Sequence, residues 1–184
     1  MAVLLAATTS MAATRDGQAV LPSFATAVET HKSMVYSIAW QFLRDRVAAD
    51  ELAQDVFLQL HKNWGRIESP VHLMFWLRKV ATHRAIDAAR KRKAQAETSL
   101  EETDEPTVLE RVHDSFLSSY LQRMVASLPE KQRSVIVLRY QEEMELEEIA
   151  KLLSMNVSTV KTQISRALEL LRGKVSRRLG KGID

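Results

Sequence analysis

Two apolar stripes of helical period, separated by four residues, constrain the C-terminal third of this chain more tightly than any other feature. Leu146, Ile149, Ala150 and Leu153 fall at i, i+3, i+4 and i+7, and Val160, Ile164, Ala167, Leu168 and Leu171 form the second stripe. The intervening SMNV has room only for a tight turn. Ser158 stands where an N-cap belongs, its hydroxyl able to accept a backbone N–H of the next turn. Two short amphipathic helices on such a turn form either a plain αα-hairpin with a solvated face or a helix-turn-helix. The outer face of the second helix favours the latter. Thr159, Lys161, Thr162, Gln163, Ser165 and Arg166 are hydrogen-bonding or basic, the chemistry that major-groove base edges require.

The rest of the chain is predicted to be helical as well. Glycine and proline are sparse, at 5 and 4 of 184 residues, and strand-like alternation is hardly seen. The expected fold class is all-α: two small helical domains on a flexible acidic linker, the C-terminal one carrying the helix-turn-helix. With 46% hydrophobic residues, two modest cores are affordable. No cysteine is present, which excludes disulfides and thiolate metal sites. The five histidines stand apart from one another and from metal-ligand spacings, so no metal and no cofactor is expected.

Charge divides the chain in three. Residues 1–93 carry 13 basic and 8 acidic groups, net +5; residues 94–114 carry 1 and 7, net −6; residues 115–184 carry 12 and 8, net +4. Two basic blocks around an acidic strip suggest two polyanion-binding modules on a tether. Residues 1–21 begin with a short apolar run but lack the charged start and long apolar core of a secretory signal. A disordered leader is expected, with Met11 a second candidate start. No stretch has the length of a membrane span, so no membrane insertion and a cytoplasmic location are expected.

In the first module, residues 22–93, Phe24, Val28, His31, Val35, Ile38 and Phe42 share one helical face. A second helix is predicted from about Ala48 to Trp64, with Leu52, Val56, Leu60 and Trp64 inward and Asp50, Glu51, Gln54 and Asp55 outward. Acidic groups early in a helix also favour its dipole, which by itself accounts for them. A loop over residues 65–72 precedes a third helix from about Leu73 to Lys93. Residues 78–93 hold seven basic groups against one acid, Asp87. Such a helix suits phosphates, and its leading aromatics Phe75 and Trp76 suit either core packing or unstacked bases, core being favoured for Trp76. Residues 94–114 show no stripe before Val108 and suit a flexible linker. In the second module, residues 115–178, Leu117, Leu121, Met124, Val125 and Leu128 form a stripe, Val135, Ile136, Leu138 and Tyr140 are expected to continue the core, and the acidic residues 142–148 are expected to face away from DNA. Residues 179–184 form a tail.

Four segments then occur in a telling order: AADELAQDVF, FWLRKVATHRAIDAARKRK, the acidic break with LPEKQRSVIVLRY after it, and the helix-turn-helix EEIAKLLSMNVSTVKTQISRALELL. Over residues 22–175 this resembles a bacterial sigma factor of the extracytoplasmic-function (ECF) type in the sigma-70 family. The resemblance implies a non-enzymatic subunit that binds core RNA polymerase and directs promoter recognition and opening. Asp50, Gln54 and Asp55, with Leu52 as an apolar contact, would meet the beta-prime clamp helices, and the second module the beta flap. Arg78, Lys79, His83, Arg84, Asp87, Arg90 and Lys91 would hold the −10 element, with the 65–72 loop at a captured base; flipping a base costs a few kcal/mol. Ser158, Thr159, Lys161, Thr162, Gln163, Ser165 and Arg166 would read the −35 element, with phosphate contacts from Arg172, Lys174, Arg177 and Arg178. The linker would thread the polymerase's RNA exit path, and an anti-sigma factor would control the whole.

Several positions depart from the family pattern. His83 stands for a common Asn, Leu73 and Arg78 for commoner aromatics, Glu143 and Ser154 for common glycines, and Glu145 for the usual Ser or Thr cap. Two rival readings stand beside the resemblance. A stand-alone helix-turn-helix regulator would leave the first module without a task. A sigma-mimicking partner-switch adaptor would have no need of the basic helix.

Overall fold

The computed structural model describes residues 20–98 and 116–179, and every regular element among them is helical. The first module is three helices. α1 (Phe24–Leu43) starts where Ser23 Oγ accepts the Thr26 N–H at 3.2 Å, and stops at Arg44, whose left-handed backbone (φ 54°) returns its N–H to the Trp40 carbonyl. α2 (Arg46–Asn63) follows at once, capped by Asp45, whose carboxylate accepts the Ala48 N–H at 3.1 Å. A 3₁₀ turn, Trp64–Arg66, leads to α3 (Pro70–Thr98). Ser69 Oγ accepts the His72 N–H, and Pro70 occupies a first-turn position where its missing N–H costs nothing.

The predicted 65–72 loop is therefore mostly consumed. The 3₁₀ turn takes its start and the first turn of α3 its end, because Ser69-Pro70 is itself a helix-start signal. At its other end α3 runs five residues past Lys93, since the AQAET extension contains nothing that stops a helix.

The three helices enclose a core in which Val35, Ile38, Val56, Leu60, Leu73 and Leu77 are fully buried, with alanines 39, 49, 81 and 85 letting the backbones approach. The edges of the Phe24 ring meet His61 and Trp64 at 5.1 and 5.4 Å between centroids, closing one end. Trp76 packs partly buried against this core, as expected; Phe75 packs instead against the core of the second module.

The second module comprises α4 (Phe116–Ala126), α5 (Glu130–Ile136), a π-helical turn (Val137–Gln141), α6 (Leu146–Leu153) and α7 (Val157–Leu179). Val135, Leu138, Met144, Ile149, Leu152 and Val160 make its main core, and Leu128, Ile136 and Ala167 a second cluster beneath α7. Two expectations change here. Tyr140 is 59% exposed rather than core, because the π turn inserts a residue and rotates the following side chains, bringing Val137 inward. Ser158 is not the cap of α7: the helix begins at Val157, the Val160 N–H already bonds the Asn156 carbonyl, and Ser158 lies within the first turn.

Both positions noted as substituted glycines prove to be left-handed, Glu143 at φ 52° and Ser154 at φ 53°. Ser154 closes α6 and makes the sharp turn into α7. At Glu145 the absent hydroxyl cap is offset from the other side, for the Glu148 carboxylate accepts the Glu145 N–H at 2.9 Å.

Candidate nucleic-acid and partner-binding surfaces

Three surfaces carry the sequence-predicted residues. The first is an open groove of about 970 Å³ between α1 and α2, floored by Phe24, Val28, Tyr36, Ala53, Phe57 and Leu58. Asp50 and Gln54 stand exposed on its lining, so a partner helix laid there would meet an apolar floor with a polar edge. Asp55 points away, paired with Arg84 at 3.0 Å. Leu52, at 7% exposure, belongs to the core, as its place on the inward stripe implies, which leaves little of it for the apolar contact that the resemblance gave it. An exposed apolar side chain that sequence reasoning missed is Leu58, 61% exposed beside Phe57 on the groove lining. An apolar pair at 57–58 breaking the inward stripe was the available signal.

The second surface is α3. Lys79, Asp87, Arg90 and Lys91 are exposed, while His83 and Arg84 are half-buried. Arg84 is held by Gln59 at 3.1 Å and by Asp55. His83 Nδ1 lies 2.8 Å from the Lys79 carbonyl. A carbonyl can only accept, so Nδ1 carries a proton, and in this tautomer Nε2 is left as an acceptor. Where an asparagine would offer both donor and acceptor, this tautomer leaves an acceptor alone. Arg78 departs from expectation. Its guanidinium donates to the Glu142 carboxylate (Nε, 3.3 Å) and the Glu142 carbonyl (Nη2, 2.7 Å) across the seam between the modules. Glu142 is 6% exposed, so the acidic segment 142–148 does not face solvent throughout. Arg90 reaches Glu130 of α5 with two parallel bonds of 2.8 and 2.7 Å, a fork that raises its guanidinium further above the usual range.

The third surface is α7. Val160, Ile164, Ala167, Leu168 and Leu171 turn inward, leaving Ser158, Thr159, Lys161, Thr162, Ser165 and Arg166 exposed and Gln163 half-buried. The Thr162 hydroxyl donates back to the Ser158 carbonyl at 2.9 Å, which leaves its oxygen lone pairs for a donor. Beside this face a smaller cleft of about 350 Å³ gathers Arg139, Tyr140, Lys161, Ser165 and Arg172. Tyr140, expected in the core, thus stands among cations next to the recognition face. Among the described residues no group of three or more His, Asp or Glu could hold a metal ion, and no helix is long and apolar enough to cross a membrane.

A helix-turn-helix with a polar, basic outer face, joined to a three-helix bundle with a basic helix of its own, defines a two-module nucleic-acid-binding protein. Comparison with known proteins sharpens this. Residues 27–95 match the family described as Sigma-70 region 2, and residues 118–171 match Sigma-70, region 4. The ECF RNA polymerase sigma factor SigW of Bacillus subtilis is 31% identical over 163 residues, covering 82% of this chain and 87% of SigW. The RNA polymerase sigma-E factor of Streptomyces coelicolor is 31% identical over 145 residues, covering 79% and 81%. Among solved structures, the sigma factor RpoE of Bartonella quintana, in complex with the anti-sigma factor NepR, superposes with a TM-score of 0.72 at 18% identity over 85% of this chain and 98% of that one. CnrH, in complex with the cytosolic domain of CnrY, gives 0.61 at 21% identity over 84% and 88%. The chain belongs to the ECF sigma factors of the sigma-70 family, which are transcription initiation factors acting with RNA polymerase on promoter DNA.

Proposed function

We propose a division of this activity among named side chains. The groove between α1 and α2 binds core polymerase, with Asp50 and Gln54 as polar contacts and Phe57 and Leu58 as the apolar ones; the groove's apolar floor and polar edge support this. Lys79, His83, Arg84, Arg90 and Lys91 on α3 hold the −10 element. Phosphate contacts there position the strand, and the acceptor on His83 favours a base amino group over a phosphate. Thr159, Lys161, Thr162, Gln163, Ser165 and Arg166 read the −35 element from α7, and Arg172 and Lys174 brace the backbone. The exposed, hydrogen-bonding face of α7 is the observation that carries this reading.

The protein performs no reaction of its own and works in the cytoplasm. The domain limits are those of the sequence, 22–93 and 115–178. The linker between them contacts the polymerase's RNA exit path, though its central residues lie outside those described. RpoE is paired with an anti-sigma factor in its solved complex, and an anti-sigma factor of the same kind controls this chain.

Run-off transcription with purified core polymerase and a promoter library tests the reading. Start sites must appear only when this protein is added. Asp50→Ala/Gln54→Ala must abolish them while binding to isolated −35 duplex survives. Arg166→Ala must lose about 1–3 kcal/mol of discrimination at one −35 position, whereas Arg172→Ala must weaken all sequences alike. Sequence-blind losses in both would remove the −35 assignment.

A further inference from the structure

Of the α3 cations assigned to the −10 strand, Arg84 is held from inside its own module. Its Nε donates to Gln59 Oε1 at 3.1 Å and its Nη1 to Asp55 Oδ2 at 3.0 Å. Both acceptors stand on α2, one helical turn apart, and each is followed by a fully buried residue, Val56 or Leu60. Arg84 is likewise followed by fully buried Ala85. The core thus fixes α2 against α3, and the pose of the guanidinium inherits that rigidity. A guanidinium carries five N–H donors. A second donor on Nη1 and both on Nη2 therefore remain, with no partner among the described residues.

The contact has no other evident task. The Arg84 and Asp55 side chains are 42% and 61% exposed, and an ion pair so exposed adds little to stability. Nor does Asp55 serve the groove between α1 and α2. It comes one residue after Gln54, about 100° further round the helix, and does not line the groove. By charge alone a carboxylate here would oppose a polyanionic strand. What Asp55 and Gln59 do provide is a fixed direction for Arg84. A long side chain that is already oriented gives up less freedom on gripping a phosphate than a free one does.

We propose that Asp55 and Gln59 are positioning residues for the −10 strand: from α2 they hold Arg84 with its Nη2 edge free, so that it meets a strand phosphate in a preset pose. This rests on the assignment of α3 to the −10 strand.

Holoenzyme assembled from purified core polymerase and the full-length protein is titrated against a fluorescent single-stranded 12-mer of degenerate sequence. Asp55→Ala/Gln59→Ala is expected to weaken strand binding about two- to tenfold, the net worth of a hydrogen bond, while assembling with core as the parent does. Asp55→Asn/Gln59→Glu keeps both acceptor oxygens and the total charge, and is expected to restore binding. In an Arg84→Ala background the two alanines are expected to bring no further loss, because the group they would misplace is gone. Charge alone predicts the opposite sign, since removing a carboxylate would tighten binding to a polyanion.

Strand binding by Asp55→Ala/Gln59→Ala at or above the parent's overturns the proposal. So does a further loss in the Arg84→Ala background, which would mark a merely structural role, or impaired assembly with core, which would make Asp55 a polymerase contact. Parental strand binding by Arg84→Ala also overturns it, and locates the failure in the α3 assignment rather than in the residues that hold Arg84.

Discussion

The two modules reach similar all-helical cores by different means. In the first, each helix start carries its own local instruction. Ser23, Asp45 and Ser69 cap three helices with side-chain oxygens, and left-handed Arg44 is the module's one non-glycine backbone exception among the described residues. The second relies on backbone exceptions: a π turn at Val137–Gln141, left-handed Glu143 and Ser154, and a helix started by Glu145 with help from Glu148. Helix signals therefore suffice for a bundle that has only to enclose a core. A module that must set one helix across another at a sharp turn needs abrupt changes of direction, and local propensity does not announce those.

The contrast can be broken at the first module's core. Leu77 is fully buried between three helices, and Leu77→Ala should cost about 2–5 kcal/mol. Urea denaturation followed by near-ultraviolet circular dichroism should show the transition of the tryptophan-bearing module moving to lower denaturant. A shift below 1 kcal/mol would mean that the core is looser than its burial implies.

Capping should follow in size. Asp45→Ala removes the cap of α2 and the 2.6 Å contact from Arg92, at an expected cost of about 1–2 kcal/mol. Arg92 first, and then the Ala48 N–H, hold the Asp45 carboxyl below its usual range. Its contribution is therefore present above the unfolded carboxyl pKa and is lost as acid protonates the folded group. The variant should show a shallower acid limb than the parent below about pH 4.

The left-handed residues sharpen the contrast in the opposite direction. Ser154→Gly and Glu143→Gly should each stabilise the second module by about 0.5–1 kcal/mol, since glycine adopts this backbone without steric cost. Arg44→Gly in the first module should bring no such gain, because the Arg44 guanidinium lies over the Trp40 ring at 5.0 Å and that contact would be lost. Thermal melts of the three variants make the comparison.

The smallest effect is a pH slope. Burial, and then the Arg78 charge, push His31 below the ordinary imidazole range. The unfolded chain then binds the proton more readily, so stability should fall as pH drops below about 6.5 and level off once the folded group also titrates. His31→Gln should flatten that slope in urea titrations at pH 7 and pH 5.5.

Much of the candidate site was legible in the residues. On α7 the polar face was identified position by position, because a 3.6-residue period sorts inward from outward wherever the helix is regular. The same logic failed at Tyr140, where the π turn broke the period, whereas at Leu52 the inward stripe was right and only the contact implied by the resemblance pointed elsewhere. Arg78 and Glu142 failed for another reason. Each is a charged residue in a charged stretch, and nothing within either stretch reveals a partner 64 positions away.

Sequence alone determined the class of fold, the two modules and their order, the turn between α6 and α7 and the cations of α3, because helical period, capping residues and charge are properties of neighbours along the chain. Tertiary structure alone decided which of those cations face solvent, that Phe75 packs into the other module, and that Glu130 and Glu142 cross the seam. Those outcomes depend on which surfaces meet once the helices have formed, and burial is a property of the packed whole rather than of any segment in it.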